Sequence, residues 1–222
     1  MAAYKTLKGQ SIRQVASDPT NPQIGEIWYN TTIGVLKARK FTAAAWASGG
    51  AGGTARQTVA GFGVVTEALV AAGEQPAGTL SAKTEEYNGS SWSEQNDMAT
   101  ARRILGGCGT QTAGLVFGGF TSGNLDLTEE YGGTSWTNGG ALPSATRGIA
   151  GAGTQTAGLG FGGFTTTSVT TTVEYNGSSW TGGGALNTAR QALAGSGTQT
   201  AAAAFGGSGL TAATEKYDGS SW

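Results

Sequence analysis

The sequence contains no histidine and only one cysteine, Cys108. Without histidine, a Ser-His-Asp triad, a Cys-His pair and the usual copper sites are excluded, as are most zinc sites. A single cysteine excludes an intrachain disulfide. We therefore predict that the protein is not an enzyme and holds neither a metal nor another cofactor.

Charged residues are also scarce, because Asp, Glu, Lys and Arg make up 12% of the 222 residues and the net charge is −1. A chain without a basic field has little attraction for phosphate, so we expect no nucleic-acid partner. The longest apolar stretch, around 201–205, is too short to span a bilayer, and the N-terminus lacks the apolar core of a signal peptide. We expect no membrane insertion and synthesis in a cytoplasm.

Glycine, in contrast, is abundant, with 40 residues among the 222. Glycine, serine, threonine and alanine surround regularly spaced aromatic residues. This composition is typical of many short strands joined by tight turns, and it predicts an all-β fold.

Two segments repeat along the chain with a common period. The first occurs as TEEYNGSSW (84–92), TEEYGGTSW (128–136), TVEYNGSSW (172–180) and TEKYDGSSW (214–222), with tyrosines 44, 44 and 42 residues apart. The second occurs as GTQTAGLVFGGF (109–120), GTQTAGLGFGGF (153–164) and GTQTAAAAFGGS (197–208). Because both share one period, a single supersecondary module is repeated. We place repeats 1 to 4 at about 55–92, 101–136, 145–180 and 189–222, after a leading piece, 41–46.

Each repeat is predicted to contain four short strands. Asn88-Gly89 and its equivalents form the strongest two-residue hairpin signal, a type I′ turn in which both residues have positive φ. Such a turn places Tyr87 opposite Ser90 and Glu85 opposite Trp92, so that Tyr87 and Trp92 lie diagonally on one face. We expect one aromatic pair in each repeat to pack on the neighbouring repeat. These inter-repeat residues are Tyr87, Trp92, Tyr131, Trp136, Tyr175, Trp180, Tyr217 and Trp222.

The predicted first and second strands carry mostly small residues, whereas the large aromatic residues follow later in each repeat. Small residues permit close approach at a crowded axis and large ones fill a wider rim, which favours wedge-shaped blades arranged radially. A solenoid is the alternative. The Gly-Gly pair after the second strand, the Tyr and Trp across a turn and the Arg that opens a repeat resemble the kelch repeat over about 41–222.

The resemblance implies a kelch-like β-propeller of four recognisable repeats of about 44 residues, complete or part of a larger propeller. The interval from Tyr to Trp is shorter than in the usual kelch motif. The chain stops at Trp222, in the middle of a predicted strand. We expect either that the natural protein continues or that the strand from Trp46 to Gly50 completes the last blade.

Residues 1–40 do not repeat and are predicted to form a separate N-terminal segment. Two strands, Gly25 to Tyr29 and Val35 to Phe41, read as a β-hairpin. The stretch GEIWYNTTIGVLK resembles a motif of bacteriophage tail-fibre and other virion proteins, and the GTQTAG and YNGSSW segments resemble marine phage structural proteins. The resemblance implies a virion anchor with Ile27, Trp28 and Tyr29 as its anchor residues. The face that it buries against other chains is either Ile27 and Tyr29 or Trp28 and Val35.

We accordingly expect a virion structural protein made in the host cytoplasm, a tail fibre, spike or other appendage subunit with a non-catalytic role in host attachment. Its expected partners are other virion proteins, further copies of itself and a host surface glycan. Three alternatives remain open: a capsid decoration protein, an intracellular kelch-type scaffold that binds proteins, and a propeller enzyme. The last needs a convergent catalytic set, which the sequence does not display.

The recurring arginines are the candidate ligand-binding residues. On one propeller face, they would bind acidic sugars or carboxylates through bidentate contacts. The alternative is that each arginine stacks on an aromatic ring or pairs with a glutamate of the third strand. The segments between the second and third strands differ most among repeats, as recognition loops do. Cys108 is expected to be a small apolar filler. The candidate arginines are Arg56, Arg102, Arg147 and Arg190, with Arg103 beside the second.

Overall fold

The computed structural model describes residues 12–21, 26–38, 48–208 and 212–222. Within them the protein is all-β, as expected, with five small sheets and one short 3-10 turn, Pro76–Gly78. No helix in the described residues is long and apolar enough to cross a membrane. The chain forms two compact parts, Met1–Ser48 and Gly49–Trp222, called here the N-terminal part and the repeat part. The predicted boundary at 40/41 and the leading piece 41–46 lie outside the described residues.

The N-terminal part contains a three-stranded sheet. Its strands are β1 (Arg13–Val15), β2 (Ile27–Asn30) and β3 (Val35–Ala38). Within the described residues, β2 and β3 form the predicted hairpin, and β1, which the sequence pattern did not indicate, pairs with β2 in parallel. In this register, Tyr29 lies opposite Leu36 and Trp28 opposite Lys37, so alternate residues face opposite sides.

The repeat part contains one sheet for each repeat, and in each sheet the strands lie antiparallel in chain order. Sheet 1 consists of β4 (Ala60–Val64), β5 (Glu67–Ala71), β6 (Thr84–Tyr87) and β7 (Trp92–Gln95). Sheet 2 consists of β8 (Gly106–Thr110), β9 (Ala113–Phe117), β10 (Thr128–Tyr131) and β11 (Trp136–Asn138). Sheet 3 consists of β12 (Ala150–Gly153), β13 (Gly158–Phe161), β14 (Thr172–Tyr175) and β15 (Trp180–Gly182). Sheet 4 consists of β16 (Ala194–Thr198), β17 (Ala201–Phe205) and β18 (Thr214–Tyr217).

The first strands of successive sheets pack side by side, in the order β4, β8, β12 and β16. Glycines at the contacts between the sheets allow the neighbouring backbones and side chains to come this close. A Cβ atom on Gly151 would lie 2.5 Å from the carbonyl oxygen of Gly107 in the preceding sheet. A Cβ atom on Gly114 would lie 2.6 Å from the ring of Phe62. The apolar cores accordingly lie between neighbouring sheets, with Leu69, Leu115 and Leu159 among their fully buried side chains.

A row of backbone hydrogen bonds also links the sheets. Just before the first strand of each repeat, Thr58, Ile104, Gly148 and Ala192 adopt positive φ angles of 54°, 56°, 60° and 53°. The N–H groups of the last three donate to the carbonyl of the preceding member at 3.0, 2.8 and 2.8 Å. Positive φ is strained for a β-branched residue such as Ile104, and this bond offsets the strain. Among the described residues, no fourth bond joins Ala192 back to Thr58, so the row is open.

The predicted type I′ turn between the third and fourth strands is wrong. Tyr87 lies opposite Trp92 rather than Ser90, so the loop has four residues, Asn88–Ser91. Only Gly89 has a positive φ, 89°. The carboxamide oxygen of Asn88 accepts the N–H groups of Ser90 and Ser91 at 3.0 and 2.9 Å. This side-chain acceptor stabilises a wider loop. The Tyr87 and Trp92 rings are therefore directly opposed, with centroids 5.0 Å apart.

Candidate functional site

The tyrosine–tryptophan pairs of repeats 2 to 4 bind the sheet before their own. The Tyr131 hydroxyl donates to Glu86 at 2.9 Å, and the Trp136 indole N–H donates to the Thr84 hydroxyl at 2.8 Å. The same contacts recur for Tyr175 and Trp180 on sheet 2 and for Tyr217 and Trp222 on sheet 3. In all four repeats, the tyrosine and tryptophan rings also pack on each other, with centroids 4.8 to 5.0 Å apart.

Burial of these tyrosines changes their acidity. Burial and the hydrogen bond to Glu130, whose carboxylate disfavours a tyrosinate, together raise the pKa of Tyr175 to about 12. Burial and the equivalent glutamate bond also raise the pKa values of Tyr131 and Tyr217.

A glutamine in the GTQT turn adds a contact that the sequence analysis missed. The side chain of Gln155 donates to the carbonyls of Gly114 and Tyr131 in the preceding sheet at 3.0 and 2.7 Å. Gln111 and Gln199 make the same pair of bonds. The signal was the threefold recurrence of GTQT.

Three of the four candidate arginines are buried in ion pairs. Arg56, Arg102 and Arg190 contact Glu85, Glu129 and Glu215 at 3.0, 2.5 and 2.7 Å, and the three arginine side chains are at most 2% exposed. Each glutamate lies in the third strand of the same repeat. This is the arrangement expected if the arginines pair with glutamates instead of binding a ligand. Buried guanidinium groups that already hold a carboxylate are not open to an external anion.

Arg147 occupies a different position, one residue later in its repeat. The position equivalent to Arg102 is filled by Thr146, and Arg147 instead matches Arg103. The Arg147 guanidinium lies over two rings, 5.0 Å from the Phe120 centroid and 4.3 Å from the Phe164 centroid. Cation–π contacts of this kind hold an arginine at a surface without neutralising its charge.

Together, these side chains form a half-buried strip at the ends of sheets 1 to 3. Arg103 lies 5.5 Å from the Phe120 centroid and binds Glu74 at 2.6 Å, which lowers the pKa of that carboxyl group. Asn124 accepts a hydrogen bond from Arg147 and donates to the carbonyls of Phe164 and Thr165. We call this set the loop strip; its members are Glu74, Arg103, Phe120, Asn124, Arg147 and Phe164.

The loop strip ends at a surface cavity in repeat 1. The cavity has a volume of about 350 Å³ and is lined by 55–57 and 74–78. Gln57 and Gln75 provide polar groups, and Ala77 has a positive φ of 67°, which is uncommon outside glycine. The loop strip and the cavity supply two aromatic rings, Arg147, the Arg103–Glu74 ion pair and several amides, a set of groups that suits non-covalent recognition of a polar ligand.

The glutamates and the cysteine are separated from one another. Glu85 contacts Arg56, whereas the adjacent Glu86 contacts Tyr131 on the other side of the strand. In the part of the chain that the structure describes, no three His, Cys, Asp or Glu residues come close enough to hold a metal ion. Cys108 lies in β8 and is 4% exposed, and burial raises the pKa of its thiol to about 12.

The second candidate surface is an apolar face on the sheet of the N-terminal part. Ile27, Tyr29 and Leu36 lie on this face and are 48%, 38% and 55% exposed. Ile12, two residues before the Gln14 that pairs with Tyr29, extends it. Trp28, the third predicted anchor residue, faces the opposite side, is 6% exposed and donates to Asp18 at 3.1 Å. We call Ile12, Ile27, Tyr29 and Leu36 the apolar face.

No known protein family matches this sequence, and no curated protein is significantly similar to it.

Proposed function

We propose that the protein is a structural subunit of a virion appendage, a tail fibre or spike, with a non-catalytic role in attachment to the host surface. In this proposal, the N-terminal part binds other virion proteins and the repeat part is displayed outside. The observation that carries it is the apolar face. Six of the ten large apolar side chains that are most exposed in the described residues lie in residues 12–36. Exposed apolar side chains gathered on one small sheet are typical of a protein–protein contact.

We further propose that the four repeat sheets are blades of a kelch-like β-propeller. The side-by-side first strands, the glycines at their contacts and the tyrosine–tryptophan pairs on each preceding sheet support a radial arrangement. The open row through Thr58, Ile104, Gly148 and Ala192 fits an arc of a larger ring better than a closed ring of four.

The loop strip is the proposed contact with a host surface glycan. Arg147 pairs with no carboxylate in the described part of the chain, and the half-buried Phe120 and Phe164 rings beneath its guanidinium add apolar surface for contact with a sugar ring. The cavity beside the strip provides the Gln75 side chain for hydrogen bonds. A glycan array probed with the wild type, Arg147→Ala and the control Arg13→Ala tests this contact. We expect Arg147→Ala alone to lose signal on acidic glycans.

Incorporation into particles tests the anchor. We expect the double variant Ile27→Asp/Leu36→Asp to remain folded in its repeat part but to be absent from purified particles, because two charges on the apolar face oppose its burial. Val35→Asp is the matched control, since Val35 is 45% exposed and lies on the opposite side of the sheet. Immunoblots of particles from complemented infections provide the measurement. Normal incorporation of the double variant would overturn the proposal.

A further inference from the structure

Repeat 3 lacks the buried ion pair that the other repeats share. Thr146 stands at the position of Arg102, and Val173 stands at the position of Glu129. Both side chains are buried, with Thr146 6% and Val173 4% exposed. Both partners are replaced, so repeat 3 has two neutral side chains at the position where each of the other repeats has a buried ion pair.

In repeats 1 and 4, the arginine of this pair also bridges two backbone carbonyls with one planar NH2 group. Nη1 of Arg56 donates to Ala72 at 2.9 Å and to Lys83 at 2.6 Å. In repeat 4, Nη1 of Arg190 donates to Gly206 and to Ala213, both at 3.0 Å. The two carbonyls are therefore arranged to accept two N–H groups from a single nitrogen.

Repeat 3 has a cavity at the same place. Its volume is about 200 Å³, and Gly162 and Thr171 are among its lining residues. These two residues are equivalent to Ala72 and Lys83, because Gly162 N–H donates to Thr171 at 2.9 Å as Ala72 N–H donates to Lys83 at 3.0 Å. The remaining walls are apolar or carry hydroxyl groups, and no lining residue is charged. They include Leu142, Thr146, Ile149, Val169 and Val173.

We propose that this cavity binds a small neutral molecule with a primary carboxamide. The carboxamide NH2 group replaces the missing arginine nitrogen and donates to the carbonyls of Gly162 and Thr171. The apolar body of the ligand packs on Leu142, Ile149 and Val169. A cationic amidine has the same shape, but with Val173 in place of glutamate the cavity offers no carboxylate to pair with its charge, and an unpaired buried charge is strongly disfavoured. This site is independent of the proposed attachment function.

Two probes of matched shape test the proposal on the full chain. Benzamide is neutral, whereas benzamidinium is charged, and both carry a planar NH2 group on an aromatic ring. By isothermal titration calorimetry and ligand-detected NMR, we expect saturable binding of benzamide and a Kd for benzamidinium that is at least about tenfold weaker. No binding of benzamide, or equal binding of both probes, overturns the proposal.

Two variants locate the binding. Thr146→Arg/Val173→Glu rebuilds the ion pair of the other repeats and fills the cavity, so we expect it to fold and to lose benzamide binding at least tenfold. Benzamide binding with an unchanged Kd in this variant overturns the site. Val173→Glu alone supplies a carboxylate, so the preference should invert and benzamidinium should bind more tightly than benzamide; a folded Val173→Glu variant that still prefers benzamide counts against the site. The double variant decides the question where Val173→Glu does not fold.

Discussion

At the scale of single residues, the buried arginine–glutamate pairs are matched sets rather than independent contacts. A buried ion pair contributes little net stability compared with a neutral replacement, but removing one partner leaves an uncompensated charge. Repeat 3 illustrates the first half of this rule, because Thr146 and Val173 replace both partners. The arginine–glutamate pair therefore links the segment before the first strand to the third strand, but a repeat can also fold without it.

The second half of the rule gives a prediction for repeat 2. Arg102→Thr leaves Glu129 buried without its cation, and we expect a loss of about 3–5 kcal/mol in the free energy of unfolding. Arg102→Thr/Glu129→Val copies repeat 3 and should recover most of that loss. Urea unfolding of the wild type, both single variants and the double variant forms a double-mutant cycle. A double variant as unstable as the sum of its singles would show that the pair is not a matched set.

The tyrosine hydroxyls predict a loss of stability at alkaline pH. The pKa of Tyr175 is about 12 in the folded protein, above its value of about 10 in an unfolded chain. Its contribution is therefore complete below about pH 10 and is lost as the pH rises towards 12. We expect the free energy of unfolding to fall less steeply between about pH 10 and pH 12 in Tyr175→Phe than in the wild type. Identical slopes would mean that Tyr175 does not couple to folding.

At the scale of structural elements, the loop between the third and fourth strands shows how one side chain sets a register. Asn88, Asn176 and Asp218 accept the N–H groups of the two serines that follow. For Asp218, these bonds hold the pKa of the carboxyl group at about 2, so the aspartate remains an acceptor throughout ordinary pH. Repeat 2 has Gly132 at this position and lacks a side-chain acceptor.

Repeat 2 is therefore open to stabilisation. Gly132 does not have a positive φ, and a Cβ atom there meets only Ser135 at 3.9 Å. We expect Gly132→Asn to raise the free energy of unfolding by about 0.5–1 kcal/mol, through loop bonds and a less flexible unfolded chain. Thermal and urea unfolding measure the gain.

Two alanine variants separate the causes of that gain. Gly132→Ala provides the chain-stiffening effect without the acceptor, so it should gain less than Gly132→Asn. Gly133→Ala should instead destabilise by about 1–2 kcal/mol, because Gly133 has a φ of 84°. Equal gains in Gly132→Ala and Gly132→Asn would rule out the side-chain bonds.

The sequence predicted the elements more reliably than their register. The shared period of the two segments was sufficient to place the strands of each repeat, because hydrophobic and turn residues recur together. The pairing of Tyr87 with Trp92 was missed, since Asn-Gly is compatible with both a two-residue turn and a wider loop that the asparagine side chain holds. Strand β1 was missed because three residues carry too little pattern.

The candidate sites were predictable in part. The displacement of Arg147 by one residue was visible in the sequence, and it marks both the loop strip and the neutral interior of repeat 3. The pairing of Arg102 with Glu129 was one of the alternatives that the sequence left open, because no local pattern distinguishes a buried, paired arginine from a surface arginine. The sequence also offered two faces for the anchor, Ile27 with Tyr29 or Trp28 with Val35, and only the structure shows that Trp28 is buried while Ile27 and Tyr29 are exposed.

At the scale of the whole molecule, the repeat part is a series of sheets that contact their neighbours in chain order. In such arrays, stability is the sum of the intrinsic stability of each repeat and the interface terms between neighbours. Each interface here depends on a small set of side chains. Between sheets 2 and 3, the Trp180 indole donates to Thr128 at 2.9 Å, and its ring lies 4.8 Å from the ring of Phe117. If one interface is weakened, the sheets on its two sides should therefore unfold in separate transitions.

Trp180→Ala tests this separation. We expect a loss of about 3–5 kcal/mol, because a large buried side chain is removed, and a single unfolding transition should divide into two. Hydrogen exchange should become faster in β9, β10 and β14, which line that interface, while β4 and β5 change little. Trp92→Ala is the matched control, since Trp92 packs on the tyrosine of its own sheet as Trp180 does, but among the described residues it makes no hydrogen bond or ring contact with another sheet. It should leave the exchange of β9 and β14 unchanged. If Trp180→Ala accelerated exchange equally in all four sheets, the repeats would unfold as one cooperative unit. Weakening one interface would then not allow the sheets on its two sides to unfold separately.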